Sequence, residues 1–402
     1  ARAAATVNPH PVELAPNEPA VATYRTSVQR SPLRVPFEEK QALALEAETR
    51  LRANPEVRVS RVGLLSFETE KIFCSSEGAR IRQGITECGA SLFALATGES
   101  NKPARRSFDN YGQAGWEFVQ RLNLPGEATR VGEEAVELLH APYVEPGRTD
   151  VVLGSEQLAI MVHESCGHPT ELDRVLGFED AFAGGSFLQP GDLGRLRYGS
   201  KHVNLTADST LPEGLGSFGY DDDGVPAQRF DLVREGIFRG YLSSRETAPM
   251  IAGYLTDRGL DVRSTGCSRA DGWGRMPIVR MVNVSLEPGE IPLDELIGGV
   301  ERGLFLDTPA SWSLDDKRLN FHFGMEYGRE IVRGRLGRVV RGATLQAITP
   351  EFWGACDGVA NRDSWKLWGF LSCAKGEPLQ ALHVGHGAAP ARFRNLMVGV
   401  ER

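Results

Sequence analysis

Hydrophobic positions along this chain recur with two different periods. Residues 37–53 are rich in Glu, Ala, Leu and Arg and read as a helix, whereas 57–97 alternate, with Val57, Val59 and Val62 leading in. Alternation puts every second side chain on one face of a strand, so 57–97 is expected to be an antiparallel meander turning near Ser76-Glu77-Gly78. Helical stretches are expected around 112–121 and 131–140. Residues 1–35 carry Pro9, Pro11, Pro16, Pro19 and Pro32 with little periodicity, and read as an extended or wrapping segment. Past Pro142 and Pro146-Gly147 the pattern changes. Val151-Val152-Leu153 reads as a short buried strand. Gly154-Ser155 then opens a helix, with Ser155 expected at the N-cap, Glu156 in the first turn, and Leu158, Met161 and Val162 as the buried stripe. From 200 onward strands and turns dominate, with turns expected at Asp221-Asp222-Asp223-Gly224 and Glu235-Gly236. The expected fold class is α+β. An N-terminal α/β domain with an antiparallel sheet would span 1–145, and a mainly antiparallel β domain carrying a functional helix would span 146–402.

Composition narrows the function classes. The chain has 402 residues, 41% hydrophobic, and a net charge of -8 with acids and bases interspersed. Length alone suggests about two or three domains. No basic face for nucleic acid is implied, and no 18-residue apolar stretch is present to span a membrane. Six scattered cysteines without a Cys-x-x-Cys pair fit a reducing compartment, so a cytoplasmic location is expected. The 45 glycines and 23 prolines point to many tight turns.

The chemistry gathers where the helix ends, at His163-Glu164-Ser165-Cys166-Gly167-His168. Two imidazoles and a carboxylate in six residues are the minimum kit of a hydrolytic zinc site: two neutral nitrogen ligands, and an acid able to take a proton from water at the metal. The spacing is one residue longer than His-Glu-x-x-His. On a straight helix, residues four apart diverge by about 40° and residues five apart by about 140°. The backbone must therefore bend. Gly167 tolerates unusual backbone angles. Pro169 has no N–H for the carbonyl of Ser165 and disfavours helix at His168. Either a π-bulge sits inside the motif or the helix ends before His168.

Two histidines need a third protein ligand. Nearby candidates are Cys166, Glu171 and Asp173, although Thr170 to Asp173 also has the form of a capping box. Distant ones are Cys373, His383 and His386. The residues alone do not rank them.

The motif and its surroundings resemble the TldD/PmbA family of zinc-dependent peptidases, and specifically the TldD-type members that keep the metal motif. The resemblance rests on His163 to His168 with the following Pro-Thr-Glu-Leu-Asp, on Phe218 to Pro226, on Gly240 to Thr247, on Cys373-Ala374-Lys375-Gly376, and on His383-Val384-Gly385-His386-Gly387. Ala374 stands where many members have Gly. Family members usually begin with more sequence, so the N-terminal domain is expected to be either incomplete or shortened here. The resemblance implies His163, His168 and Cys373 as zinc ligands and Glu164 as catalytic acid and base. It also implies a dimer, with a second copy or with a PmbA-type subunit, enclosing a site for unfolded peptides. A metal-dependent amide hydrolase of small molecules, or a non-catalytic subunit with a structural metal, would use the same residues. The acidic run Asp221 to Asp223 is expected to be a solvated turn rather than a contact for a basic group on the substrate.

Overall fold

Two long strands, Val57–Cys74 and Arg80–Ala96, form a single hairpin in register from Cys74↔Arg80 to Val59↔Leu95, with a shift before Val57↔Ala96. They appear in a computed structural model that describes residues 12–98, 102–182 and 184–401. The alternating stretch is thus one hairpin rather than a meander, with its turn at Ser75–Ala79 closed by Gly78 N–H to Ser75 O at 3.2 Å. Val21–Arg25 adds a short parallel strand and Ala104–Gly112 an antiparallel one, both against Arg80–Ala96. The extended N-terminal segment is therefore partly strand; its residues 1–11 lie outside the described residues. The helix expected around 112–121 begins later, at Trp116–Arg121, because the strand Ala104–Gly112 runs up to it.

Helices Phe37–Leu51 and Leu124–His140 cover the sheet, and Leu51, Leu92, Ala94, Val131 and Leu138 are buried between them. One covered face explains the alternation, since only every second strand residue needs to be apolar.

The second half is built on a seven-stranded sheet. Arg302–Leu314, Gly147–Leu153, Ala391–Val400, Ala343–Ile348 and Asn320–Val332 pair in that order, and Asn320–Val332 pairs back to Arg302–Leu314, closing a ring. One pairing in the ring, Gly147–Leu153 with Arg302–Leu314, is parallel. A smaller sheet holds Val284–Leu286, Leu205–Asp208, Arg229–Arg234 and Ile237–Phe238. Its last turn has Glu235 at φ 49° and Gly236 at φ 74°, the paired positive angles of a two-residue hairpin turn. Strands Lys366–Lys375 and Gln380–Ala388 form a separate hairpin. The short helices Ala252–Thr256, Leu293–Gly298 and Thr349–Gly354 are too brief to show helical periodicity in the sequence.

The helix Ser155–Val162 leaves the strand Gly147–Leu153 and is buried at every position. Gly154 is its N-cap, not Ser155, whose hydroxyl instead accepts the Trp368 indole N–H at 3.1 Å. Among the described residues no helix is long and apolar enough to cross a membrane.

Polar bonds tie the two halves together. Gln83 donates to Tyr220 O at 2.8 Å and accepts from Gly219 N at 2.9 Å. Arg245 meets Glu77 through two bonds of 2.7 and 2.8 Å. The Asp221-Asp222-Asp223 turn is part of this seam and is not solvated. Asp221 is buried and accepts the backbone N–H groups of Asp223, Val225 and Ser268, while Asp222 pairs with Lys71 of the long hairpin. Burial first, and then Asp223, pushes the Asp221 carboxyl up to about 8.

Candidate metal centre

The helix ends in a π turn, His163–Gly167, followed by a 3₁₀ turn, His168–Thr170. A π turn returns to the same side after five residues rather than four. The two imidazoles therefore face each other, ring centroids 4.8 Å apart and planes at 89°. The groups that the irregular backbone strands are met locally. The Ser165 carbonyl, for which Pro169 has no N–H, accepts the buried Tyr198 hydroxyl. Thr170 Oγ1 donates to Cys166 O and Gly167 O, both at 2.9 Å. Gly167 has ordinary helical angles, φ -61° and ψ -64°. Its value is space: a Cβ there would collide with Met281 Sδ.

Cys373 completes a cluster. One donor atom each from His163, His168 and Cys373 lies within 4.8 Å of the others, and all three residues are buried. Cys373 Sγ faces His168 Nε2 at 3.9 Å across 205 residues of sequence. Zinc–sulfur and zinc–nitrogen bonds in a tetrahedral site hold such atoms roughly 3.6 Å apart. Two nitrogens and a sulfur at this separation fit zinc after a small contraction. The hairpin has a register shift between Phe370 and Cys373, beside the thiol.

The remaining candidates sit elsewhere or behind these three. Cys166 is buried among apolar groups, and burial pushes its thiol up to about 12. Glu171 receives His168 Nδ1 at 2.9 Å, and Asp173 receives Lys375 Nζ at 2.7 and 2.9 Å. Neither forms the capping box, since the N-cap of Leu172–Val175 is Glu171 without a side-chain cap bond. His383 pairs with Glu87 of the long hairpin at 2.9 Å. His386 lies behind His163, its Nε2 2.7 Å from His163 Nδ1. Sequence reasoning named Glu171 and His386 only as alternative ligands; the signal for their actual place was their closeness to a ligand or to Cys373 along the chain.

The electrostatics suit a cation. Burial opposes ionisation of Glu171, but Lys375, His168 and Arg174 outweigh it and hold the carboxyl well below its usual range. Burial likewise raises the Cys373 thiol, yet His168 and Arg280 overcome it and the net shift is downward. Burial lowers both His163 and His168, only partly offset by nearby carboxylates and, at His168, by Cys373; this direction favours the neutral imidazole with a lone pair to offer. Glu164 differs from the other five residues of the motif: it alone is partly exposed. It lies within electrostatic reach of Arg318.

Residues 146–400 match the profile of the PmbA/TldA metallopeptidase C-terminal domain, and residues 30–141 match that of the family's central domain. The chain belongs to the PmbA/TldA metallopeptidase family. A metalloprotease of Methanothermobacter thermautotrophicus is 31% identical over 389 residues, 96% of this chain and 80% of the relative. A protein of Saccharolobus solfataricus named as a zinc metalloprotease TldD homolog is 24% identical over 254 residues, 63% of this chain and 52% of that one. Among solved structures, a Thermotoga maritima protein described as a candidate modulator of a DNA gyrase superposes with a TM-score of 0.75 at 19% identity, covering 98% of this chain and 81% of that chain. TldE from Thermococcus kodakarensis gives a TM-score of 0.68 at 15% identity, over 96% and 81%. At these identities the structural likeness establishes the family fold and nothing further.

Proposed function

We propose that this PmbA/TldA family chain is a zinc-dependent peptidase that hydrolyses unfolded or linear peptides. His163, His168 and Cys373 would be the metal ligands and Glu164 the general base and acid. The carrying observation is the convergence of two neutral imidazoles and one thiol within 4.8 Å, buried, beside a carboxylate that reaches a partly open surface. Three protein donors are the number of a catalytic zinc centre, whereas structural centres close with four. Bound zinc would supply a Lewis acid that acidifies water and polarises a peptide carbonyl. Glu164, next in sequence to a ligand, would take the proton of the attacking water and return it to the leaving amine. Glu171 would hold His168 in place from its far side, and Lys375 would balance the charge of Glu171 and Asp173.

Peptides as substrates are supported by the metalloprotease relatives, and extended ones by the Cys373 hairpin, which pairs with no third strand among the described residues. Assembly with a second copy or with a PmbA-type partner is supported by the structural likeness to TldE. A division into domains 1–145 and 146–402 is supported by the two family profiles, which meet between 141 and 146, and by two hydrophobic clusters. The first cluster lies at 144–398, while the second is drawn mainly from residues before 145, with Ala159, Val339 and Trp368 joining it. A cytoplasmic location is supported by six cysteines that are all free. The test is metal analysis of the purified chain together with mass spectrometry of a digested peptide library. Bound zinc with cleavage of linear peptides supports the proposal; zinc without peptide cleavage turns the reading toward small amides or a non-catalytic subunit.

A further inference from the structure

The segment His383-Val384-Gly385-His386-Gly387 places an imidazole in the core that donates no ligand atom. His386 is fully buried on the strand Gln380–Ala388. The strand is pressed close to its neighbours here. A Cβ on Gly385 would collide with Asn283, and one on Gly387 with Trp365. Gly387 N–H donates to Ser285 Oγ at 3.0 Å. This approach brings His386 Nδ1 to 2.8 Å from the carbonyl oxygen of Val284, while Nε2 lies 2.7 Å from His163 Nδ1.

Proton placement follows from the carbonyl, which can only accept. His386 Nδ1 must carry the hydrogen that reaches Val284 O. In a neutral imidazole Nε2 is then a bare acceptor. His163 Nδ1 must therefore be the donor, which leaves the lone pair of His163 on Nε2. The same reasoning fixes His168, whose Nδ1 donates to the ionised Glu171 and whose bare Nε2 faces Cys373 Sγ. The two histidines are thus held by unlike partners: His168 by a carboxylate, His163 by a second imidazole that is itself held by the backbone.

We infer that His386 is a positioning residue for the metal centre: through the chain Val284 O, His386, His163 it fixes the tautomer and ring orientation in which His163 presents Nε2 as a ligand. The inference rests on the zinc reading above. Groups behind metal-bound histidines characteristically set affinity, and their loss weakens binding by about 10–100-fold.

The test compares zinc dissociation constants, by competition with a chromophoric chelator, for wild type, His386→Phe and His386→Gln, with thermal unfolding of each metal-free protein. Phe keeps the ring and removes the acceptor. Gln carries an acceptor and a donor side by side, as the neutral imidazole does. The expected result is a loss of affinity of about 10–100-fold in His386→Phe, a lower metal-free unfolding midpoint in that variant because Val284 O loses its donor, and recovery of most of both losses in His386→Gln. Equal affinities for wild type and His386→Phe overturn the inference while leaving the zinc reading intact. Wild type that binds no zinc overturns both. Should His386→Phe fail to fold, nitrogen-15 histidine NMR of zinc-loaded wild type decides. A proton on His163 Nδ1 supports the inference, and one on Nε2 defeats it.

Discussion

The Tyr198 hydroxyl donates to the Ser165 carbonyl, the acceptor that Pro169 leaves without a helical N–H. Both groups are buried, so the bond maintains a π turn in which two histidines five residues apart face one another. Tyr198→Phe removes the donor and little else. A buried carbonyl without a partner costs roughly 1–3 kcal/mol. The variant should unfold at lower denaturant by that amount and bind zinc more weakly, measured by urea titration and metal competition.

The cluster of Glu171, Asp173 and Lys375 predicts a larger effect. Lys375 is fully buried and meets Asp173, Glu171 and the Val279 carbonyl. Lys375→Met would leave two buried carboxylates short of their cation. Breaking a buried ion pair from one side costs about 3–5 kcal/mol. The variant should show that loss on denaturant unfolding, and the double variant Lys375→Met with Asp173→Asn should recover part of it.

Asp221 predicts a pH effect with a definite sign. Its carboxyl is held at about 8 by burial and by Asp223, far above the ordinary value of 3.8. A carboxyl raised in the folded state binds its proton more tightly there than in the unfolded chain. Its contribution is fully present below the unfolded value and is lost as pH rises through the folded one. Between pH 3.8 and about 8 it should lower stability with a slope of at most about 1.4 kcal/mol per pH unit. Asp221→Asn should remove that component of the slope, read from unfolding free energies at a series of pH values.

These residues also mark what the sequence allowed to be read. The spacing from His163 to His168 and the missing N–H of Pro169 are local facts, and they alone imply a π turn or a helix end. The donor that answers Pro169 was not legible. Many side chains can reach a helix-terminal carbonyl, and Tyr198 lies 33 residues further on. Cys373, 205 residues from His168, is one of six candidate ligands in the sequence and is singled out only by the family resemblance, because its approach depends on how a distant hairpin packs. Gly167 was read for backbone freedom, and its actual role is room for Met281. The acidic triplet was read as solvated because acidic turns usually are. Here neighbouring backbone N–H groups and Lys71 draw it into the seam. The strand Ala104–Gly112 was not legible, because Arg105, Arg106 and Asp109 interrupt its apolar pattern.

Cys373 can be probed independently of catalysis. With the thiol lowered by His168 and Arg280 it should bind as thiolate, and sulfur suits zinc better than a hydroxyl. Cys373→Ser should weaken zinc binding without abolishing the fold, measured as metal content after dialysis against a chelator. Unchanged metal content would move the third ligand elsewhere.

The central claim is that a zinc centre held by His163, His168 and Cys373 works with Glu164 as its base. Its most direct test is Glu164→Gln, assayed for bound zinc and for cleavage of linear peptides in one preparation. A general base contributes roughly 10²–10⁴-fold, so the account predicts wild-type zinc content with cleavage reduced by at least that factor. Cleavage retained at the wild-type rate with full zinc content would contradict it.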